Sequence, residues 1–225
     1  MQREIVLDTE TTGVDPASGH RIVEIGCIEL IGGARTGKFF QTYLNPERDM
    51  PEEAERVHGL TLDFLLDKPL FAEKVDEFLE FIADSRLVIH NAGFDLKFIN
   101  AELARAGFSA VQANRATDTV LMARKKFPGS PASLDALCKR FNIDLSGRDK
   151  HGALLDAELL AEVYIELLGG RQVTLTFEKI SDVQARYEAA HGNTVLVPRD
   201  FPPSAEELAA HETMLKQLKN PLWAA

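Results

Sequence analysis

Two acidic residues follow a short apolar segment near the start of the sequence. Ile5-Val6-Leu7 precedes Asp8, Thr9 and Glu10. Side chains two residues apart on a strand point to the same face, so the carboxylates of Asp8 and Glu10 should leave the strand together. Two neighbouring anions repel each other, and a hard divalent ion such as Mg²⁺ or Mn²⁺ between them would remove the repulsion. The pair alone is also typical of a solvent-facing strand end, so its interpretation depends on the acids around it.

Three further residues could join this pair. Asp95 follows the apolar segment Leu87-Val88-Ile89, and ligands of α/β proteins collect at the carboxyl ends of such strands; the alternative for Asp95 is a helix N-cap. His151 precedes Asp156 by five residues, about 500° along a helix, so the two cannot share one helix face. We therefore expect His151 on the approach to a helix, Gly152 as a hinge, and Asp156 one turn inside. The apolar neighbours of Asp156 would then require a partner such as a metal ion.

Four carboxylates and one histidine suit metal-dependent hydrolysis of a phosphodiester. Two metal ions about 3.5–4 Å apart can activate a water, stabilise the leaving oxygen and neutralise the charge on the phosphate. Histidine titrates near neutral pH, so His151 could accept the proton of the attacking water. No other histidine in the sequence has a comparable context.

The elements that would position these residues can be predicted from the hydrophobic pattern. Residues 4–44 predict three strands, the last two joined by a turn at Gly32-Gly33. Phe71, Val75, Phe78 and Ile82 recur at helical spacing, and the segment 87–89 is apolar enough for the interior of a sheet. Further helices are predicted at 95–106, after the N-cap Ser133, and at 153–168. This order predicts an α/β domain with antiparallel and parallel strand pairs, flanked by helices.

Gly169-Gly170 is the predicted boundary between two parts of the chain, residues 1–170 and 171–225. The second part contains a helix start with the capping-box pattern Ser204-x-x-Glu207. Its apolar faces are too few to form an independent core. We therefore expect residues 171–225 to pack on the first part or to fold on a partner.

Charge and composition exclude several classes of protein. The chain has 225 residues, a net charge of −10 and two cysteines, Cys27 and Cys138. No apolar run is long enough to span a membrane, and two cysteines favour a reducing cytoplasm. The acidic total argues against DNA binding by bulk positive charge. The charge is uneven, however, since residues 47–84 carry a net −8 and residues 115–151 a net +4.

Three segments resemble, in order and spacing, the motifs of the DEDDh 3′–5′ exonucleases. They are Asp8-Thr9-Glu10-Thr11-Thr12-Gly13, His90-Asn91-Ala92-Gly93-Phe94-Asp95 and His151-Gly152-Ala153-Leu154-Leu155-Asp156. The resemblance implies a ribonuclease H-like fold, two Mg²⁺ or Mn²⁺ ions, and removal of 5′-mononucleotides from a 3′ end. By motif position, the metals would be bound by Asp8, Glu10, Asp95 and Asp156, with His151 as the general base.

A fourth segment, residues 53–59, resembles a part of this family that contacts the terminal nucleotide. It implicates Glu53 and His58 in substrate binding, together with Asp8, Glu10 and Asp156. Without the resemblance, the local spacing predicts only an exposed acidic helix that ends at Gly59.

Two parts of residues 171–225 also carry resemblances. Residues 172–177 are similar to the sliding-clamp-binding motif of bacterial replication proteins, which implicates Gln172, Leu175 and Phe177. The stretch from Glu206 to the end is similar to the tail by which proofreading exonucleases bind the catalytic (alpha) subunit of the bacterial replicative polymerase. The residues it implicates are Leu208, Leu215, Leu222 and Trp223. The long Gln-rich linker that separates these two elements in the family is missing here.

Together these resemblances predict a cytoplasmic proofreading exonuclease that acts at the 3′ end of a DNA primer within the bacterial replisome. The alternatives are a free-standing RNA or oligonucleotide exonuclease, and a non-catalytic scaffold that links clamp and polymerase. A scaffold would not need four converging acids. The net charge of −10 is compatible with a nuclease, since a site tethered by its tail gains effective concentration at the primer.

Overall fold

A mixed five-stranded sheet forms the centre of the first part of the chain. The structure, a computed structural model, describes residues 2–146, 150–170 and 202–217. The strands are β1 (Arg3–Thr11), β2 (Ile22–Ile31), β3 (Ala34–Tyr43), β4 (Arg86–Ile89) and β5 (Ala116–Asp118). Their order is β3-β2-β1-β4-β5, antiparallel among the first three and parallel from β1 to β5. The predicted α/β class with both kinds of pairing is confirmed.

Along the chain, helices lie between the parallel strands and after them. In chain order they are α1 (Glu52–His58), α2 (Leu62–Leu65), α3 (Phe71–Ile82), α4 (Ala92–Arg105), α5 (Thr119–Lys126), α6 (Leu134–Phe141), α7 (Ala153–Leu168) and α8 (Ala205–Gln217). Short 3₁₀ turns occur at Pro16–Ser18 and Ala113–Arg115.

Both faces of β1 are covered along Ile5-Val6-Leu7, which explains why these three residues form a continuous apolar run. Ile5 and Leu7 pack on one face with residues of α3 and α4. Val6 points to the other face and packs with residues of α5, α6 and α7. This alternation continues along β1, so Asp8 and Glu10 lie on the face that α7 covers.

Several elements match the predicted ones closely. The four apolar residues of α3 are all buried, and α7 begins and ends at the predicted residues. Ser133 caps α6, since its side chain accepts a hydrogen bond from the Ala136 N–H.

Other elements differ from the predictions. The sequence predicts a first strand over residues 5–8, whereas β1 extends to Thr11 and includes Glu10. The predicted start of α4 at residue 95 was wrong: the helix begins at Ala92, after Asn91 adopts a left-handed conformation with φ of 67°. The strand β5 and the helix α5 were not predicted, because one has three residues and the other lacks a clear apolar stripe.

Contacts divide the chain into two units, Met1–Val173 and Thr174–Ala225. In the second unit, α8 begins with the predicted capping box. Ser204 Oγ accepts a hydrogen bond from the Glu207 N–H, and Glu207 Oε2 accepts one from the Ser204 N–H. Among the described helices, none is long and apolar enough to cross a membrane.

Candidate active site

The carboxyl end of β1 supplies the first two acids of the site. Glu10 is 9% exposed, and Asp8 is partly buried. In the antiparallel register, Asp8 lies opposite Gly26 and Glu10 lies opposite Glu24. Because Gly26 has no side chain, the start of α7 can approach the sheet beside Asp8.

Asp95 enters the site from the first turn of α4. Its side chain is 3% exposed, and the hydroxyl of Thr9 donates a hydrogen bond of 2.7 Å to its Oδ1. The N-cap position of α4 belongs to Asn91, so the alternative of Asp95 as an N-cap is wrong. A buried carboxylate one turn inside the helix is instead directed at the end of β1.

Asp156 and His151 approach from α7, in the arrangement predicted from their spacing. Asp156 lies in the first turn of the helix and is 3% exposed, whereas His151 precedes the helix and is exposed. The Nδ1 of His151 lies 3.1 Å from Asp156 Oδ2. The backbone N–H of His151 donates to the carbonyl of Val57, which fixes this approach segment to α1.

These residues form one electrostatic cluster. Ligand atoms of Glu10, His151 and Asp156 all lie within 4.8 Å of one another. Burial raises the pKa of Asp8 well above its usual range, and the negative charges of Asp95, Glu10 and Asp156 raise it further. Burial also raises the pKa of Asp95 to about 7, against the lowering effect of the Thr9 hydrogen bond. Converging acids of this kind are a donor set that a hard divalent cation fits, since its charge removes the repulsion.

Two cavities open on this cluster. One, of 280 Å³, is lined by Asp8, His151 and Asp156 together with residues at the start of α6. The other, of 430 Å³, is lined by Glu10 and by Glu53 and His58 of α1. The structure therefore brings the residues implicated in nucleotide contact to the same cavity as one of the acids.

His58 has an unusual hydrogen-bonding state in the second cavity. It is 6% exposed, and burial lowers its pKa. Its Nδ1 accepts a hydrogen bond from the Leu60 N–H, so the neutral ring carries its proton on Nε2. The Thr11 backbone raises the pKa of His58 against the effect of burial, but the Nε2 is the one buried side-chain polar atom in the described part of the chain that has no hydrogen bond of good geometry. A buried donor without an acceptor is costly, and a bound ligand oxygen would satisfy it.

The tail residues predicted to contact partners are described only in part. Leu208, on α8, is 50% exposed, and Leu215 on the same helix is partly buried. The residues outside the described part of the chain are Gln172, Leu175, Phe177, Leu222 and Trp223.

Two acids near the site, the partly buried Asp118 and the buried Glu24, were missed by the sequence reasoning. Asp118, at the end of β5, accepts hydrogen bonds from the N–H groups of Ala92 and Val120 and so joins the starts of α4 and α5. Glu24, in β2, accepts a hydrogen bond from the Ala153 N–H at the start of α7. Glu24 interrupts the apolar residues of β2, as Glu29 also does, and such an interruption was the signal that could have identified it.

Comparisons with known proteins identify a family and several relatives of this chain. The profile of the family described as Exonuclease matches residues 5–164. The DNA polymerase III subunit epsilon of Rickettsia conorii is 52% identical over 221 residues, which cover 96% of this chain and 96% of the relative. The subunit of the same name from Escherichia coli K12 is 44% identical, with 95% of this chain and 92% of the relative covered.

Solved structures are similar in fold. The structure of Exonuclease X in complex with 5′ overhanging duplex DNA has a TM-score of 0.58 and 24% sequence identity. The match covers 73% of this chain and 90% of the Exonuclease X chain. The nuclease domain of 3′hExo, a DEDDh family member bound to rAMP, has a TM-score of 0.62 and 18% identity, with 74% and 92% covered. The predicted ribonuclease H-like architecture is confirmed by this likeness.

Proposed function

The chain belongs to the exonuclease family, and from this membership we propose that it is the proofreading 3′–5′ exonuclease of a bacterial DNA polymerase III. It would remove mispaired nucleotides from the 3′ end of a DNA primer. The observation that carries the proposal is the convergence of Glu10, His151 and Asp156 beside Asp8 and Asp95 at one end of the sheet. Relatives named as epsilon subunits support it because they match nearly the whole chain, including its tail.

We assign the binding of two divalent ions, Mg²⁺ or Mn²⁺, to Asp8, Glu10, Asp95 and Asp156. Such ions supply positive charge that activates a water and stabilises the leaving oxygen of a phosphodiester. The protein's part is to hold its acids close together against their own repulsion, and burial together with this repulsion raises the pKa of Asp8. Thr9 contributes by fixing the orientation of the Asp95 carboxylate.

We assign the role of general base to His151. Its neutral ring can donate from Nδ1 to Asp156 Oδ2, which lies 3.1 Å away, and its lone pair is then on Nε2. That nitrogen can accept the proton of the attacking water. The backbone hydrogen bond to Val57 fixes the base to α1, the helix that also carries Glu53 and His58.

We assign binding of the terminal nucleotide to the cavity lined by Glu53, His58 and Glu10. The Nε2–H of His58 is a neutral donor, suited to an oxygen of the sugar or phosphate. An anionic Glu53 can accept a hydrogen bond from a hydroxyl group.

The remaining assignments concern the tail. We propose that residues 1–170 are the nuclease domain, that Gln172, Leu175 and Phe177 bind the sliding clamp, and that residues from about 178 onward bind the polymerase catalytic subunit. Leu208 supports the last assignment, since it is a large apolar residue that is 50% exposed. A chain that ends at Gly170 should keep its nuclease activity and lose the polymerase, and capture of the polymerase by that shortened chain would contradict the assignment.

The test of the catalytic proposal compares Asp8→Asn with the unchanged chain. Full-length protein is incubated with Mg²⁺ or Mn²⁺ and either a 3′-mispaired DNA primer or a short RNA. The variant should lose hydrolysis, yet its metal-free form should unfold at a higher temperature, because the buried negative charge has been removed. Full activity of Asp8→Asn would refute the metal assignment, and a strong preference for RNA would favour a free-standing RNA exonuclease.

A further inference from the structure

Glu24 is a buried carboxylate beside the acidic cluster. It lies in β2, is 2% exposed, and is directly opposite Glu10 in the antiparallel register. Side chains directly opposite one another in such a pair lie on the same face of the sheet. Glu24 therefore faces the side of the sheet on which α7 lies.

The hydrogen bonds of Glu24 connect it to the start of that helix. Its Oε2 accepts a hydrogen bond of 3.0 Å from the N–H of Ala153, the first residue of α7. Its Oε1 accepts one of 2.8 Å from Gln41 Nε2. The N-cap residue of α7 is Gly152, which has no side chain to satisfy the first N–H groups of the helix. Glu24 supplies the missing acceptor from the sheet, and its negative charge is favourable at this end of the helix dipole.

Gly26, on the same face of the same strand, sets how near the helix comes. A Cβ atom at this position would lie 2.3 Å from the carbonyl carbon of Ala153 and from the Leu154 nitrogen. No side chain fits there while α7 keeps its place. Gly26 thus fixes the height of the first turn above the sheet, and Glu24 anchors its first N–H group.

We propose that Glu24 is a positioning residue for the metal site, holding the first turn of α7 where Asp156 and His151 meet Glu10. Asp156 lies three residues after the anchored Ala153 and His151 two residues before it. A displacement of Ala153 is therefore passed to both of these residues. This inference rests on the proposed metal-binding role of the acids.

The test measures the Mn²⁺ affinity of the full-length chain and of two variants substituted at Glu24. The affinity is obtained from the electron paramagnetic resonance signal of free Mn²⁺. Glu24→Asp keeps the charge but shortens the side chain by one C–C bond of about 1.5 Å, so it no longer reaches Ala153. Residues that orient metal ligands typically contribute about 10–100-fold to affinity, and a loss in this range is expected. Glu24→Gln loses the charge but keeps an oxygen for Ala153, and its amide can donate to a rotated Gln41. Its affinity should stay close to that of the unchanged chain.

The matched control is Glu29→Gln. Glu29 is also a buried acid of β2, 3% exposed, but it accepts its hydrogen bonds from Arg3 and Thr36. This control should lower thermal stability and leave the Mn²⁺ affinity unchanged.

The two substitutions of Glu24 separate position from charge. Unchanged affinity in Glu24→Asp, or a larger loss in Glu24→Gln than in Glu24→Asp, would overturn the positioning role. If only the inference is wrong, the unchanged chain still binds Mn²⁺ and degrades DNA. A chain that does neither would overturn the proposed function and this inference with it.

Discussion

Gly26→Ala should slow the nuclease by displacing α7, although the added group is a single methyl. The new Cβ would lie 2.3 Å from backbone atoms of Ala153 and Leu154, whereas ordinary contacts are 3.4–4 Å. The first turn of α7 must therefore move by about 1 Å, and a displacement of that size at a catalytic group can reduce the rate about 100-fold. Overpacking of this kind should also lower the free energy of unfolding by about 1–3 kcal/mol.

The assay is single-turnover release of the terminal nucleotide from a 3′-labelled, mispaired primer, with urea unfolding measured in parallel. The matched control is Val163→Ala, a buried position in the same helix but ten residues beyond Ala153. This control should lose stability through a cavity and keep the nuclease rate. A Gly26→Ala protein that is folded and cuts at the unchanged rate would refute the idea that the closeness of α7 to the sheet matters for catalysis.

Two further predictions concern stability. Arg21→Ala should lower the free energy of unfolding in urea by about 1.5–3 kcal/mol, because it removes two charge-assisted hydrogen bonds, of 2.7 and 2.9 Å, to the buried Glu102 and leaves that carboxylate with Arg105 as its remaining cation. Arg35→Ala, which breaks the half-exposed pair with Glu158, should change the free energy of unfolding by less than about 1 kcal/mol, and equal losses in the two variants would contradict the argument. The metal-free chain should become less stable as pH rises from about 4 to about 7, because the folded state, with the pKa of Asp95 at about 7, binds more protons in this range than the unfolded state does. Melting temperatures measured in a chelator should fall across this pH range, and Asp95→Asn should reduce the fall. An equal fall in that variant would count against the raised pKa of Asp95.

The sequence was sufficient where a pattern is local. The apolar spacing of α3, the cap at Ser133 and the bounds of α7 depend on neighbours in the chain, and all agree with the structure. The placement of His151 on the approach to α7 followed from helix geometry alone.

The sequence was insufficient where a residue's role depends on a distant partner. Glu24 accepts a hydrogen bond from Ala153, which is 129 residues away in the sequence. Only the fold shows that Gly26, which has no side chain, lies under the start of α7. The start of α4 was misplaced because Asn91 adopts a left-handed conformation that its residue type permits but does not require. The grouping of Glu53 and His58 with Glu10 came from the family resemblance, since their spacing indicates only an exposed helix.

The direction and metal dependence of cleavage test the central claim most directly. A mispaired DNA duplex carrying distinct labels at the 3′ and 5′ ends of the primer is incubated with the full-length chain, with Mg²⁺ or with a chelator. The proposed function predicts immediate release of the 3′ label as a mononucleotide, dependence on the metal, and loss of about 10²–10⁴-fold in rate in His151→Ala. Initial release of the 5′ label, internal cuts, or cleavage that continues in the chelator would contradict it.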